Sequence, residues 1–220
     1  MPLTTIEQDY RTEVVRKTIH LTGFAIPWIY YYVDRPFAVA VLIPFTVAAL
    51  VIDFGRRGDG AFARWFGTWL GPILREKEKG EQRTLHALTW FFIVSTVMVA
   101  FTPRYVAILS ISIMLLADAA AALVGRKYGR HKVGGRSLEG SAGFFLAALV
   151  IVAVTPRVEG RPGEWAICAL AALVGAVVEL VSQDPLEDNV TVPLSIGFTL
   201  WLGYALAYPG MDLNAYGLVR

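Results

Sequence analysis

The sequence predicts an all-α, polytopic membrane protein with about seven transmembrane helices, a cytoplasmic N-terminus and one interfacial amphipathic helix. Three observations support this fold class. Of the 220 residues, 55% are hydrophobic and 17% are charged, whereas a soluble domain carries about 25% charged residues. The apolar residues fall into separate runs of nearly the length that a helix needs to cross ~30 Å of hydrocarbon. Lys and Arg are concentrated in alternate connecting segments, as in multi-pass membrane proteins.

The apolar runs define the predicted transmembrane helices, and together with their connections they form a single integral membrane domain over residues 1–220. Arg64 interrupts a further run, 61–74, which is predicted to be the interfacial helix with Trp65 and Trp69 on one face. A short re-entrant segment is the alternative for that run. The predicted spans are 18–33, 37–53, 86–102, 105–124, 139–155, 164–182 and 192–209.

The distribution of positive charge sets the predicted orientation. With the N-terminus inside, 15 of the 20 Lys and Arg side chains fall in inner segments. We therefore expect a multi-pass protein of a prokaryotic cytoplasmic membrane whose functional segments face the cytoplasm. The net charge of +2 gives no indication of a nucleic-acid partner. The single cysteine, Cys168, supports neither a disulfide nor a metal cluster, and the oligomeric state stays open.

Asp118 is the first candidate site residue. A carboxylate inside a transmembrane helix is costly and usually faces protein or water rather than lipid. It is predicted to be a Mg²⁺ ligand or a catalytic acid or base. The alternative is a packing role, in which Asp118 pairs with a nearby arginine.

A glycine-rich, basic segment follows Asp118 and is predicted to hold an anion. Glycines let the backbone approach an anion closely, and cationic side chains neutralise phosphate charge. Ser137 is predicted to cap the fifth span, whose first N–H groups form a further anion site. The alternative is a loop that is basic only because it lies inside. The candidate nucleotide-binding residues of this segment are Gly125, Arg126, Lys127, Gly129, Lys132, Gly134 and Ser137.

Acidic residues on either side of the fifth and sixth spans complete the predicted site. Glu139 falls in the first turn after Ser137, as a cap-region acid or as a ligand to metal or substrate. Glu179, Asp188 and Asn189 belong to an inner segment without Lys or Arg, and hard cations prefer such oxygen ligands. The alternative for that segment is a solvated turn that caps the last helix.

Lys17 and His20 are three residues apart near the N-terminus and therefore share one helical face, with Arg16 beside them. They are predicted to bind phosphate or to orient a hydroxyl group. The alternative is a positively charged flank with an interfacial histidine.

These motifs, in this order, resemble the family of polytopic lipid kinases that comprises dolichol kinases, phytol kinases and CTP-dependent diacylglycerol kinases. The resemblance covers about residues 13–205. It rests on the segment 118–141, and more weakly on Arg16-Lys17-x-x-His20, on Arg75 and Glu76, and on Asp188-Asn189-x-Thr-Val-Pro.

The resemblance implies transfer of the γ-phosphoryl group of CTP to the hydroxyl of a membrane lipid alcohol, with Mg²⁺ as cofactor. The alcohol is a polyprenol or dolichol, a phytol-like isoprenoid, or a diacylglycerol. Lys132 and Arg126 would hold the triphosphate. The candidate catalytic residues are Asp118, Glu139 and His20, and the candidate metal ligands are Asp118, Glu179, Asp188 and Asn189.

Two other functions are considered. Phosphatidate cytidylyltransferases also use CTP and Mg²⁺, but their late basic and His-Gly-Gly elements are missing around Asp188. A small anion or lipid transporter would be indicated by inverted repeats and by helices interrupted at the membrane midplane, and neither is evident. The predicted partners are therefore CTP, a lipid alcohol and the bilayer.

Overall fold

The computed structural model describes residues 14–15, 17–55, 60–69, 87–182 and 185–217, and within these ranges the chain is almost entirely helical. The segment 17–22 is helical and is separated by a turn at Gly23 and Phe24 from the first complete helix. The helices are α1 Ala25–Tyr32, α2 Arg35–Gly55, α3 Ala61–Trp69, α4 Ala87–Phe101, α5 Arg104–Tyr128, α6 Leu138–Val154, α7 Pro162–Val181 and α8 Pro185–Ala207. Two short strands, β1 Lys132–Val133 and β2 Arg136–Ser137, connect α5 to α6.

The helices confirm the all-α, multi-pass membrane architecture. By length and composition, four described helices are able to cross a membrane: α2, α5, α7 and the part of α8 from Asp188 to Ala207. The helices α4 and α6 are shorter and apolar. Each predicted apolar run coincides with helical chain in the structure. A helix is present at the start of the predicted interfacial segment, as α3, whereas residues 70–74 lie outside the described ranges.

The core is built around α5. Every residue from Arg104 to Leu115 is buried, as expected for a helix that is surrounded by neighbouring helices. The helices α1, α4, α6 and α8 pack against it, whereas α2 packs mainly on α4. Large apolar side chains on the outer faces of α2, α6 and α7 are exposed, which suits contact with lipid tails.

One end of the bundle is held by arginines that the charge pattern predicts to be extracytoplasmic. Arg104 donates to the carbonyl oxygens of Tyr30, at 3.2 Å, and Val33, at 2.7 Å. Arg35 donates to the carbonyl oxygen of Thr102 at 2.8 Å. These bonds satisfy carbonyl groups where helices end, and they join the loops between α1 and α2 and between α4 and α5.

Helices α8 and α5 extend several residues beyond their predicted bounds, and α2 extends by two residues at each end. Helix α8 begins at Pro185 rather than at residue 192, so residues 185–191 of the predicted acidic segment, including Asp188 and Asn189, are helical. Helix α5 continues to Tyr128 rather than ending at residue 124. The prolines explain the first difference, because Pro193 resembles a helix start in the sequence but lies inside α8.

Candidate active site

A β-hairpin closes the end of the bundle opposite Arg104. Its strands are antiparallel, with Val133 paired to Arg136, and Gly134 takes a positive φ of 58° in the turn. Successive side chains of a strand point to opposite sides. Arg136 is on the opposite face from Lys132; its side chain is largely buried, while Lys132 is exposed.

Ser137 joins the hairpin to α6 and caps that helix, as predicted. Its Oγ accepts a hydrogen bond from the backbone N–H of Gly140 at 3.1 Å. The glycines allow α5 to approach closely here. A Cβ on Gly140 would lie 3.0 Å from the carbonyl oxygen of Ala121, and a Cβ on Gly129 would lie 2.6 Å from Ser137 Oγ. Two glycines predicted to face an anion, Gly125 and Gly129, thus also pack against the start of α6.

Glu139 anchors the base of the hairpin. Its carboxylate accepts hydrogen bonds from the backbone N–H groups of Arg130, at 3.1 Å, and His131, at 3.2 Å. Nδ1 of His131 lies 2.6 Å from Glu139 Oε1. These contacts engage both carboxylate oxygens, so Glu139 fixes the position of the hairpin relative to α6.

Arg136 joins two buried acids from different helices. Its guanidinium Nη1 is 3.2 Å from Oε1 of Glu179, near the end of α7, and Nη2 contacts Oδ2 of Asp188 in the first turn of α8. The second oxygen of Glu179 accepts a hydrogen bond from Ser141 Oγ at 2.6 Å. The basic and acidic segments of the sequence therefore meet at Arg136.

Lys17 and His20 meet Asp118 in a second cluster. The ammonium of Lys17 contacts Asp118 Oδ2, and His20 Nε2 is 3.7 Å from the same oxygen. The three side chains are between 8% and 19% exposed. Asp118 is ten residues before the end of α5, which places it about 15 Å inside that end. The shared face predicted for Lys17 and His20 is therefore directed at Asp118.

Glu179 links the two clusters. It contacts Arg136 and is close enough to Asp118 and Lys17 to interact with both electrostatically. Arg126 and Lys127, in the last turn of α5, and Lys132, in β1, are exposed. The arrangement presents cations at the surface and carboxylates beneath them, which suits an anion that binds together with a divalent cation.

Glu179, Asp188 and Asn189 carry oxygen donors of the kind that Mg²⁺ prefers. In the part of the chain that the structure describes, no three His, Cys, Asp or Glu side chains already converge as a metal centre. Oδ1 of Asp188 is nevertheless buried without a hydrogen bond from any described residue. Carboxylate oxygens at a site open to phosphate are the ligands that Mg²⁺ uses. Asn189 is also buried beside Asp188.

Sequence reasoning missed two residues of this site, Arg136 and Ser141. Arg136 is one of five cations in its segment, and only the hairpin register singles it out. Ser141 falls on the same face of α6 as Ser137 by its four-residue spacing, a signal that could have been used. Of the motifs behind the family resemblance, Arg16, Arg75 and Glu76 lie outside the described residues.

Comparison with known proteins identifies kinases among the relatives of this chain. It is 26% identical over 189 residues to an uncharacterized protein of Rickettsia prowazekii, covering 86% of this chain and 93% of that protein. It is 26% identical to a CTP-dependent diacylglycerol kinase of Schizosaccharomyces pombe, covering 71% of this chain and 76% of that protein. It is 30% identical to a probable chloroplastic phytol kinase of Oryza sativa subsp. japonica, covering 50% of this chain and 40% of that protein.

These relatives confirm the resemblance to the dolichol kinase, phytol kinase and CTP-dependent diacylglycerol kinase family. No protein-family model matches the chain. No solved structure matches it either.

Proposed function

We propose that this relative of diacylglycerol and phytol kinases is a CTP-dependent lipid-alcohol kinase with its active site at the cytoplasmic face. The observation that supports this most directly is the pairing of Lys17 and His20 with Asp118 inside the helix bundle. Phosphoryl transfer depends mainly on positioning and charge neutralisation, and this site provides buried carboxylates beneath exposed cations.

Nucleotide binding is assigned to the basic surface around the hairpin. Arg126, Lys127 and Lys132 are exposed and would attract the triphosphate. The turn at Gly134 leaves room for a ligand, because a Cβ there would meet no described atom within 4 Å. Lys17 and Arg136, which pair with carboxylates in this structure, would neutralise phosphate oxygens that enter the interior.

Mg²⁺ would be held by Asp118, Glu179 and Asp188, with Asn189 beside them, and would neutralise the charge on the phosphate oxygens during transfer. The ion pairs with Lys17 and Arg136 keep these buried acids compensated. Leaving a buried carboxylate unpaired would be costly, which explains why each acid has a cation within reach.

The acceptor hydroxyl would be deprotonated at the Asp118 and His20 pair. The hydroxyl oxygen forms a bond to the γ-phosphorus, the bond from that phosphorus to the β–γ bridging oxygen breaks, and CDP leaves. The hydroxyl proton passes to Asp118 or, through it, to His20. Glu139 is engaged by the hairpin backbone, so its proposed contribution is to hold the nucleotide-binding hairpin in place.

The test is a matrix of nucleotides against lipid alcohols with purified, reconstituted protein. With CTP labelled at the γ-phosphate, we expect the label to appear on the lipid. With CTP labelled at the α-phosphate, we expect the lipid product to be unlabelled. Dioleoylglycerol, phytol and a polyprenol would be compared as acceptors, and CTP with ATP as donors.

The same matrix distinguishes the other functions. Release of pyrophosphate together with formation of a CDP-lipid would indicate a cytidylyltransferase instead of a kinase. If no pair of nucleotide and alcohol reacts but the anion or lipid crosses liposome membranes, the protein would be a transporter.

A further inference from the structure

An apolar groove lies between the segment that carries His20 and helices α1, α2 and α4. It has a volume of about 450 Å³. No described residue that lines it carries a formal charge apart from His20 when protonated. Its polar lining residues are His20, Thr22 and Tyr30. Apart from His20, the residues that line the groove take no part in the chemistry assigned above, so its shape and lining require a separate explanation.

The groove has a buried floor and an exposed rim. Leu42, at 5% exposure, and Phe91, at 2%, form the floor. Ile29, Phe37 and Phe45 line the rim and are 48–56% exposed. Large apolar side chains that are exposed along a transmembrane helix face lipid. The groove therefore opens sideways towards the hydrocarbon of the bilayer rather than towards water.

The closed end of the groove reaches the proposed active site. His20 lines the groove, and its Nε2 is 3.7 Å from Asp118 Oδ2. The ring of His20 also packs against Phe91 of the floor, with ring centroids 5.8 Å apart. One side chain thus borders both the apolar space and the acid that would accept a proton.

We infer that this groove binds the hydrocarbon chain of the acceptor alcohol, which enters sideways from the bilayer with its hydroxyl directed at His20 and Asp118. The inference rests on the proposed kinase function for the identity of the hydroxyl group. An uncharged wall suits a hydrocarbon chain, because each buried CH₂ contributes about 0.8 kcal/mol. The polar end suits a single hydroxyl, which loses free energy in hydrocarbon unless it finds a hydrogen-bond partner.

Gly23 packs tightly against the floor of the groove. A Cβ on Gly23 would lie 2.8 Å from Cζ of Phe91, so even alanine would press on the floor.

Photolabelling tests the location directly. The probe is a long-chain primary alcohol with a diazirine in its hydrocarbon chain, presented in phosphatidylcholine vesicles to the full-length protein. Excess unlabelled alcohol should remove the site-specific label. The matched methyl ether, which lacks the hydroxyl, should not remove it. We expect the site-specific label on groove residues such as Leu42 and Phe91. Competition by dioleoylglycerol or by phytol then tells which lipid source the groove accepts.

A matched pair of variants on α2 provides the kinetic test. Val41 lines the groove, whereas Val47 is on the same helix, 52% exposed and absent from the groove lining. Val41→Trp should raise the KM for the alcohol at least tenfold and leave the KM for CTP unchanged. Val47→Trp should change neither value. If Val41→Trp fails to fold, labelling of the wild-type protein still shows whether the alcohol binds in the groove.

The outcomes separate this inference from the proposed function. If lipid is phosphorylated but the competable label lies outside the groove, the groove is not the binding site and the kinase function is still supported. If the competable label lies in the groove but no alcohol is phosphorylated, the groove is supported as a binding site for the alcohol and the proposed kinase function is wrong. Cross-links between two copies of the chain through groove residues would assign the groove to an interface and overturn the inference.

Discussion

The ammonium of Lys17 donates a hydrogen bond to the carboxylate of Asp118, 101 positions later in the chain. Their side chains are 8% and 16% exposed. Charges in such surroundings are stable only when they are paired. The pair therefore fixes the N-terminal helical segment against the middle of α5, and it holds His20 beside the same carboxylate.

The first prediction concerns this pair. Lys17→Met and Asp118→Asn should each lower the free energy of unfolding by about 3 kcal/mol, because each leaves one buried charge uncompensated. The double variant should lose less than the sum of the two. Thermal unfolding in detergent measures the stabilities. Additive losses would show that the two residues are not coupled.

Activity separates catalysis by Asp118 from packing. Phosphoryl transfer should fall at least 100-fold in Asp118→Asn and should not recover in the double variant. Turnover close to the wild-type rate in either variant would remove Asp118 from the catalytic residues, whatever the stabilities show.

The second prediction concerns Arg136. Arg136→Met leaves Glu179 and Asp188 without their shared cation and should cost about 3–5 kcal/mol. Arg136→Lys should recover only part of this loss, because one ammonium cannot replace the planar fork that reaches two carboxylates. Lys132→Met is the control, since Lys132 is exposed in the same hairpin, and it should change stability by less than about 0.5 kcal/mol. Equal melting temperatures for Arg136→Lys and wild type would argue against a bridging role.

The third prediction concerns the crossing of α5 and α6. A Cβ on Gly140 would lie 3.0 Å from the carbonyl oxygen of Ala121 and 3.3 Å from Cα of Gly125. Gly140→Leu should force the helices apart and cost about 1–3 kcal/mol or more. Gly135→Ala should be nearly neutral, because a Cβ at Gly135 would meet no described atom within 4 Å. Thermal unfolding of the two variants side by side provides the comparison.

The fourth prediction concerns the metal. Chelation by EDTA should abolish phosphoryl transfer, and added Mg²⁺ should restore it. Asp188→Asn should raise the Mg²⁺ concentration for half-maximal rate at least tenfold, because the amide lacks the negative charge and the second oxygen of the buried carboxylate. Glu139→Gln should instead raise the KM for CTP through the hairpin and leave the Mg²⁺ dependence unchanged. An unaltered Mg²⁺ requirement in Asp188→Asn would exclude that residue as a ligand.

The sequence predicted the helices well because each is a long apolar run between polar or proline-containing segments. It also predicted the cap at Ser137, since the side-chain cap is a local interaction. The start of α8 was missed because Pro185 and Pro193 are both compatible with a helix start, and the choice depends on contacts of Asp188 with a distant hairpin.

The partners of the candidate site residues could be predicted only in part. The spacing of Lys17 and His20 predicted that they share a face, and the structure shows that this face meets Asp118. No local signal separates Arg136 from the neighbouring cations, because its role follows from the register of the hairpin. The engagement of Glu139 with backbone N–H groups likewise depends on how the hairpin folds back onto α6.

Helix α6 has 17 residues from Leu138 to Val154 and is therefore about 26 Å long. Leu146, Val150 and Val154 on its outer face are more than 60% exposed, so this helix meets lipid directly. Its length is a few ångströms less than the ~30 Å of a typical hydrocarbon layer, and such hydrophobic mismatch costs a fraction of a kcal/mol per ångström. The two leaflets should accordingly draw together beside α6. Reconstitution in phosphatidylcholines of graded acyl length should then show the highest melting temperature in the thinner bilayers.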